Sequence, residues 1–217
     1  MRGLTEHTKT VLEHISHLDC IKDYILIGGT AIALQINHRL SEDLDFCKWK
    51  ITNQKIEVGW PKIEQELLMK FKIEKKDILG FDQVNFIING VKISFYANNL
   101  YFNPVKQPLA IINNIKIPDL ITLGAMKLEV MLRRSKFRDY YDIYSLLMNG
   151  ISLKKLIEES VKYSNYQLKR KHIISFISNS QNFIKEKSFD LLNPKYQVSS
   201  IEIEELIKEK ITFDYHL

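Results

Sequence analysis

Residues 24–46 read Tyr24-Ile-Leu-Ile-Gly-Gly-Thr-Ala-Ile-Ala-Leu-Gln-Ile-Asn-His-Arg-Leu-Ser-Glu-Asp-Leu-Asp-Phe46. The opening apolar run, Tyr24–Ile27, ends on Gly28-Gly29, the pattern of a buried strand entering a tight turn. Thr30–Ile36 then reads as a helix with Thr30 near its start, and Leu44–Phe46 as a second short strand. A glycine turn that passes straight into a helix presents backbone N–H groups and the positive helix end to a phosphate. Asp43 and Asp45 are two residues apart, so on a strand they point to one face. Two carboxylates on one face can hold Mg²⁺ (or Mn²⁺), a hard cation that completes its shell with waters and substrate phosphates. Such a metal activates a hydroxyl and steadies a leaving pyrophosphate. The Gly-Lys-Ser/Thr of a Walker loop and the dinucleotide-binding glycine fingerprint are both missing from the stretch.

Around this block the chain has 217 residues, 45% of them apolar and 26% charged. These are ordinary globular proportions and exclude a collagen-like, disordered or coiled-coil chain. At about 150 residues per domain, one domain with an appended part or two small ones is expected. No run of about 18 apolar residues is present, so no membrane span is expected. The polar N-terminus lacks the apolar core of a signal peptide. Cys20 and Cys47 are too few for a disulfide scaffold or a four-ligand zinc site, which points to a reducing, cytoplasmic setting. The net charge of +5 permits a polyanionic partner, and residues 1–60 carry a net −1, so the excess lies beyond them.

The spacing of Val11, Leu12, Ile15 and Leu18 predicts a helix over 6–19. Pro61 opens another with Ile63, Leu67, Leu68 and Phe71. Residues 72–79 and 81–88 read as extended. Asn89-Gly90 marks a hairpin between Val84–Ile88 and Val91–Tyr96. Val84, Phe86, Ile88, Ile93 and Phe95 suit its apolar side, with Lys92, Ser94 and Tyr96 on the other. Residues 97–118 read as loop with one short strand at Ile115–Ile117. Asp119 can cap a helix to about Arg134, and Ser135 can break it and cap a second through Leu147. Asn149-Gly150 is a stop, and 151–217 reads as three helices. The expected organisation is therefore α/β (α+β). Residues 1–117 form a mixed sheet with flanking helices, and 118–217 form a helical part that completes the site.

Gly28-Gly29-Thr30 followed by Arg39, Ser41, Asp43 and Asp45 resembles the signature of the AbiEii/AbiGii toxin family, within the DNA polymerase β-like nucleotidyltransferases. Lys127-Leu-Glu-Val-Met-Leu-Arg-Arg-Ser-Lys-Phe-Arg-Asp-Tyr-Tyr-Asp142 is similar to that family's Lys-then-Arg-Asp-x-x-Asp block. The resemblance covers about residues 20–148. It implies a mixed sheet carrying the glycine turn and both aspartates, and a helical part contributing the second block. It also implies the toxin of a toxin–antitoxin pair in phage defence (abortive infection), with a cognate antitoxin. The implied reaction transfers a nucleotide from an NTP, in some relatives onto tRNA 3′ ends. The expected nucleotide-binding residues are Gly28, Gly29, Thr30, Arg39, Ser41, Arg134, Arg138 and Asp139. Asp43 and Asp45 are the expected metal ligands, and with Lys127 and Asp142 the expected catalytic set. Superfamily members often carry a third carboxylate on a neighbouring strand. Here the corresponding position is Ser94, and no Asp or Glu lies between Asp82 and Asp119.

In one continuous helix Lys127, Arg134 and Arg138 would share a stripe able to neutralise triphosphate charge; a helix break at Ser135 leaves that to the fold. Asp139 and Asp142 are helix neighbours. Asp139 suits an ion pair with a nearby arginine, whereas Asp142 could orient Lys127 or touch the acceptor. Arg39 could pair with an acid or a phosphate. Tyr140, Tyr141 and Tyr144 at helical spacing are expected in the core rather than stacked on a base. His14 and His17 lack a third ligand and are expected at the surface. Lys169-Arg170-Lys171 with Tyr163 and Tyr166 forms a basic–aromatic cluster that is either a solvated face or an RNA contact. The leading reading is an Mg²⁺-dependent nucleotidyltransferase with an RNA acceptor. The rivals are a catalytically degenerate relative that binds nucleotide, RNA or a protein, and a transferase acting on a small molecule.

Overall fold

The computed structural model describes residues 1–215 and divides into two compact units. The first comprises residues 1–34 and 40–119, and the second residues 35–39 and 120–217.

The first unit opens with α1 (Glu6–Ile15). Thr5 caps it by accepting from the Thr8 N–H, and Glu6 in the first turn suits the positive helix end. Strand β1 (Ile25–Ile27) runs without a loop into α2 (Gly28–Ile36), and β2 (Leu44–Lys50) follows. Helix α3 (Trp60–Leu68) starts with Pro61 in its first turn. Strands β3 (Lys75–Ile78), β4 (Gln83–Ile88) and β5 (Val91–Phe102) complete a five-stranded sheet in the order β1-β2-β5-β4-β3. β2 pairs with β5 in parallel and the other neighbours are antiparallel, so the sheet is mixed. Asn89 (φ 50°) and Gly90 (φ 72°) turn the hairpin; both central residues are left-handed, as a type I′ turn requires.

Alternation along the strands sorts the two faces. Leu26, Phe46, Phe95 and Val84 lie side by side on one face. They are buried with α1 residues Val11, Leu12 and Ile15 and α2 residues Ala31, Ile32 and Ala33. Phe95 stacks on Phe46 at 5.3 Å and meets Tyr24 and Phe86 edge-on. The opposite face carries a row formed by Ile27, Asp45, Ser94, Asn85 and Asp77, one residue from each strand.

Two expectations are corrected here. β5 continues to Phe102, and Leu109–Ile112 forms a strand, β6, pairing with β7 (Ile115–Ile117), where the sequence reads as loop. Leu109 and Ile111 are exposed, so this ribbon lacks the buried alternation that announces a strand.

The second unit holds α4 (Leu120–Met131), α5 (Phe137–Met148), α6 (Leu153–Tyr163), α7 (Arg170–Ile177) and α8 (Ser200–Tyr215), with two short 3₁₀ turns before α8. Between α4 and α5 the chain breaks at 132–136 as expected, but Lys136 and not Ser135 is the cap, without a side-chain bond. Tyr140 and Tyr141 are core residues. Tyr140 stacks on Phe183 at 4.1 Å and its hydroxyl donates to the Ile177 carbonyl at 2.7 Å. Among the described residues no helix is long and apolar enough to cross a membrane.

Phe95→Ala removes the ring on which three aromatic contacts converge. It should cost roughly 3–5 kcal/mol, read as a lowered urea midpoint with an unchanged slope.

Candidate active site

In the first unit the glycine turn and Asp45 come together through β1 and β2. Ile27, the last residue of β1, is paired in register with Asp45. Gly28 follows at φ +77°, and a Cβ placed there would lie 3.2 Å from Asp45 Oδ2. The left-handed backbone and the nearby carboxylate therefore both call for glycine. Gly28, Gly29, Asp43 and Asp45 are all partly exposed, so the turn and both carboxylates reach solvent.

The 41–43 segment is fixed by hydrogen bonds. The Thr30 hydroxyl donates to the Asp43 carbonyl, which leaves Ser41 Oγ to donate to Thr30 Oγ1 at 2.8 Å. Ser41 N–H donates to Gly3 O at 2.9 Å, Thr5 N–H to Ser41 O at 3.2 Å, and Thr8 Oγ1 to Glu42 O at 2.9 Å. Thr30 and Ser41 are buried, and their hydroxyls hold the loop that carries Asp43 and leads into β2. Ser94, opposite Asp45 on β5, is fully buried rather than solvent-facing, and its Oγ has no partner among the described residues.

No group of three or more His, Cys, Asp or Glu side chains suited to a metal occurs among the described residues. Asp45 beside the glycine turn, with Asp43 two residues before it, offers carboxylate oxygens. That fits Mg²⁺ or Mn²⁺, which keep waters and phosphate oxygens, better than a cation needing a full protein cage. The space left by the missing Gly28 Cβ beside Asp45 agrees with that fit.

In the second unit, Lys127 of α4 and Asp139 and Asp142 of α5 are buried with His38 and Arg39, which belong to the same unit. Lys127 Nζ lies 2.8 Å from Asp139 Oδ1 and 3.0 Å from Asp142 Oδ2. Arg39 grips Asp142 with Nε to Oδ1 at 2.8 Å and one terminal nitrogen to Oδ2 at 3.1 Å. His38 Nε2 lies 2.7 Å from Asp142 Oδ1. A carboxylate only accepts, so Nε2 carries the hydrogen and Nδ1 is a buried lone pair without a partner among the described residues. The His38 ring is stacked near Tyr141, and its carbonyl accepts from the Tyr141 hydroxyl at 3.1 Å and from Lys195 N–H at 2.8 Å.

Burial opposes charge in this cluster and the partners overrule it. Burial raises Asp142, but Arg39, Lys127 and His38 outweigh it and hold the carboxyl well below its usual range. Asp139 is lowered against burial by Lys127 and Arg134. Lys127 is raised against burial by the two aspartates. For His38 burial wins and its pKa is lowered.

The chain matches the family model of the nucleotidyl transferase AbiEii toxin, type IV toxin–antitoxin system, over residues 10–205. It belongs to the AbiEii family. This AbiEii chain is therefore a nucleotidyltransferase of a toxin–antitoxin class, a membership that implies an NTP substrate and an antitoxin partner. It is 26% identical to an uncharacterized protein, aq_aa25, of Aquifex aeolicus strain VF5, over 97% of each chain. Its fold is shared by MenT4, a nucleotidyltransferase toxin from Mycobacterium tuberculosis H37Rv. There the TM-score is 0.60 at 14% identity, covering 96% of this chain and 82% of that one. A candidate nucleotidyltransferase from H. pylori superposes with TM-score 0.57 at 16% identity, over 94% and 92% of the two chains.

The structure sorts the basic residues of the AbiEii signature blocks. Arg39 is committed to Asp142, and Arg134 reaches Asp139 Oδ2 at 3.0 Å while remaining half in solvent. Arg138 is half-buried with no hydrogen bond or ion pair among the described residues. The expected stripe of Lys127, Arg134 and Arg138 along one helix does not form, because α4 stops at Met131. Lys127 and Arg134 meet instead through the carboxylate of Asp139. His38 is absent from the sequence reading. Its only signal there is its place next to Arg39 within the same block.

The cluster sets a pH dependence. His38, Asp139 and Asp142 all have folded pKa values below their ordinary ones, so the unfolded chain takes up protons first as pH falls. These three groups leave stability flat just above neutrality, and it should fall in the alkaline range, where the unfolded chain loses protons that the raised Lys127 and the buried Cys20 keep. On the acid side it should decline below about 6.5 as unfolded His38 charges, then fall again below about 4 as the unfolded aspartates protonate. His38→Gln should remove the first step alone in a series of melts against pH. Asp142→Asn, which leaves Lys127 and Arg39 short of one buried anion, should cost roughly 3–5 kcal/mol; equilibrium urea unfolding measures it.

Proposed function

We propose that the chain transfers a nucleotidyl group from an NTP to an acceptor hydroxyl, with RNA, and in particular the 3′ end of tRNA, as the acceptor class. The observation that carries this reading is the placement of Asp45 beside the glycine turn, where a Gly28 Cβ would approach its carboxylate to 3.2 Å. That arrangement supports the reading, since an anion able to hold a metal would stand next to a helix N-terminus able to receive phosphate.

Gly28 and Gly29 offer backbone to the triphosphate, while Thr30 and Ser41 act as positioning residues through the loop they tie. Asp43 and Asp45 would hold Mg²⁺ or Mn²⁺, which when bound supplies charge neutralisation and a lowered hydroxyl pKa. In the helical unit, Lys127 has three ammonium hydrogens and spends two on aspartates. The third, together with the unpaired Arg138, is what that unit can offer to a phosphate. Asp139 and Asp142 are positioning residues for Lys127. In the reaction the acceptor oxygen attacks the α-phosphorus and the bond to the bridging α–β oxygen breaks. Pyrophosphate leaves, and the acceptor proton passes to solvent or a base. A toxin acting in this way disables its acceptor, and the family supports a cognate antitoxin that restrains it. A role in phage defence within the cytoplasm follows the same line.

Asp43→Asn and Asp45→Asn should each lower transfer of label from an α-labelled NTP onto total RNA by at least about 10²-fold, a typical loss when electrostatic stabilisation is removed from a transition state. The melting temperature should change little, and chelation should abolish wild-type labelling. Undiminished labelling by either variant would overturn the assignment.

A further inference from the structure

Residues 160–185 contain Lys162, Lys169, Arg170, Lys171 and Lys185 and no aspartate or glutamate. This one stretch therefore carries as much net charge as the whole chain, +5. Lys162 is paired with Glu159 at 2.7 Å and Lys185 with Asp190 at 2.7 Å. The uncompensated charge is thus concentrated at Lys169, Arg170 and Lys171, all exposed at the start of α7.

An aromatic side chain stands beside these cations. After α6, Asn165 and Tyr166 both turn left-handed, at φ +51° and +62°. Asparagine tolerates that conformation, whereas a bulky side chain such as tyrosine is an outlier there. Burial does not compensate, because Tyr166 is 65% exposed. Its backbone is nevertheless fixed, with its N–H donating to Val161 O at 2.8 Å and its carbonyl accepting from Lys169 Nζ at 3.1 Å. The ring is held out on an ordered turn with an ammonium group anchored at its base.

The neighbouring cations are partly ordered too. Arg170 and Lys154 both lie over the Tyr215 ring, at 5.4 and 6.0 Å. Lys171 makes no hydrogen bond or ion pair among the described residues. It lies two residues before the buried Ile173, about 200° around α7 from it, and faces outward.

We infer that Tyr166, Lys169 and Lys171 form a docking surface for a single-stranded RNA segment. Tyr166 stacks on an unpaired base, and the two lysines contact the flanking phosphates. An exposed aromatic among uncompensated cations matches the two terms of sequence-tolerant single-strand binding, stacking and backbone charge. An acidic polypeptide would satisfy the cations but give the ring no flat partner. The inference rests on the RNA-acceptor reading for its purpose, but not for its test.

Fluorescence anisotropy with a labelled single-stranded RNA of about ten nucleotides, without NTP or metal, measures the surface directly. The wild type should bind. Lys169→Ala combined with Lys171→Ala should reduce the slope of log affinity against log salt by about 1.4 to 2. Tyr166→Asn should weaken binding about five-fold or more while holding or raising the melting temperature, since asparagine suits the left-handed turn. Tyr166→Phe should retain affinity. Absence of RNA binding by the wild type, an unchanged affinity in Tyr166→Asn, or competition by polyglutamate as effective as that by unlabelled RNA would each overturn the inference. Label transfer from an α-labelled NTP is scored in parallel. Transfer to RNA with binding insensitive to these variants removes the docking surface and leaves the proposed function standing. Sensitive binding without any transfer does the reverse.

Discussion

The helical unit depends on the carboxylate of Asp142. It is fully buried and accepts from His38 and Arg39 while lying 3.0 Å from the Lys127 ammonium. A buried ion is tolerated only when its charge is balanced and its lone pairs are filled, and here both conditions are met by residues from distant parts of the chain. The same contacts fix Lys127 between its two aspartates. The buried ammonium is held by the groups that make its burial possible.

The first unit differs, in that its carboxylates reach solvent. Gly28 leaves space beside Asp45, and Thr30 and Ser41 fix the segment that carries Asp43. Ser94 stands in register opposite Asp45 and brings no charge of its own. A third anion there would deepen the local negative potential, which a hydroxyl does not.

Much of this is visible in the amino-acid order, for physical reasons that differ by region. The strand, glycine turn and helix at 25–36 are legible because apolar run, special backbone and helix start fall within one dozen residues. The Asn89-Gly90 hairpin is legible because both turn residues suit positive φ. β6 is not, since Leu109 and Ile111 project outward and the Asn113 turn lacks a glycine to advertise it. In the site, the identities of Lys127, Asp139 and Asp142 are readable, but their partners are not. Arg39 and His38 lie about a hundred positions away, and no periodicity links them to α5. Tertiary packing also buries Ser94, a position whose strand alternation alone marks as outward.

The assignment of Gln35–Arg39 to the helical unit has a consequence for how such a protein could be assembled from parts. The C-terminal helices are not an independent cassette. A segment beginning at Leu120 would carry Asp139 and Asp142 into its interior without Arg39, and so would inherit an anion short of a counter-charge. A split at the apparent border near Asp119 would separate Asp142 from Arg39, so an exchange of the helical part would have to carry Gln35–Arg39, the end of α2 and the residues after it.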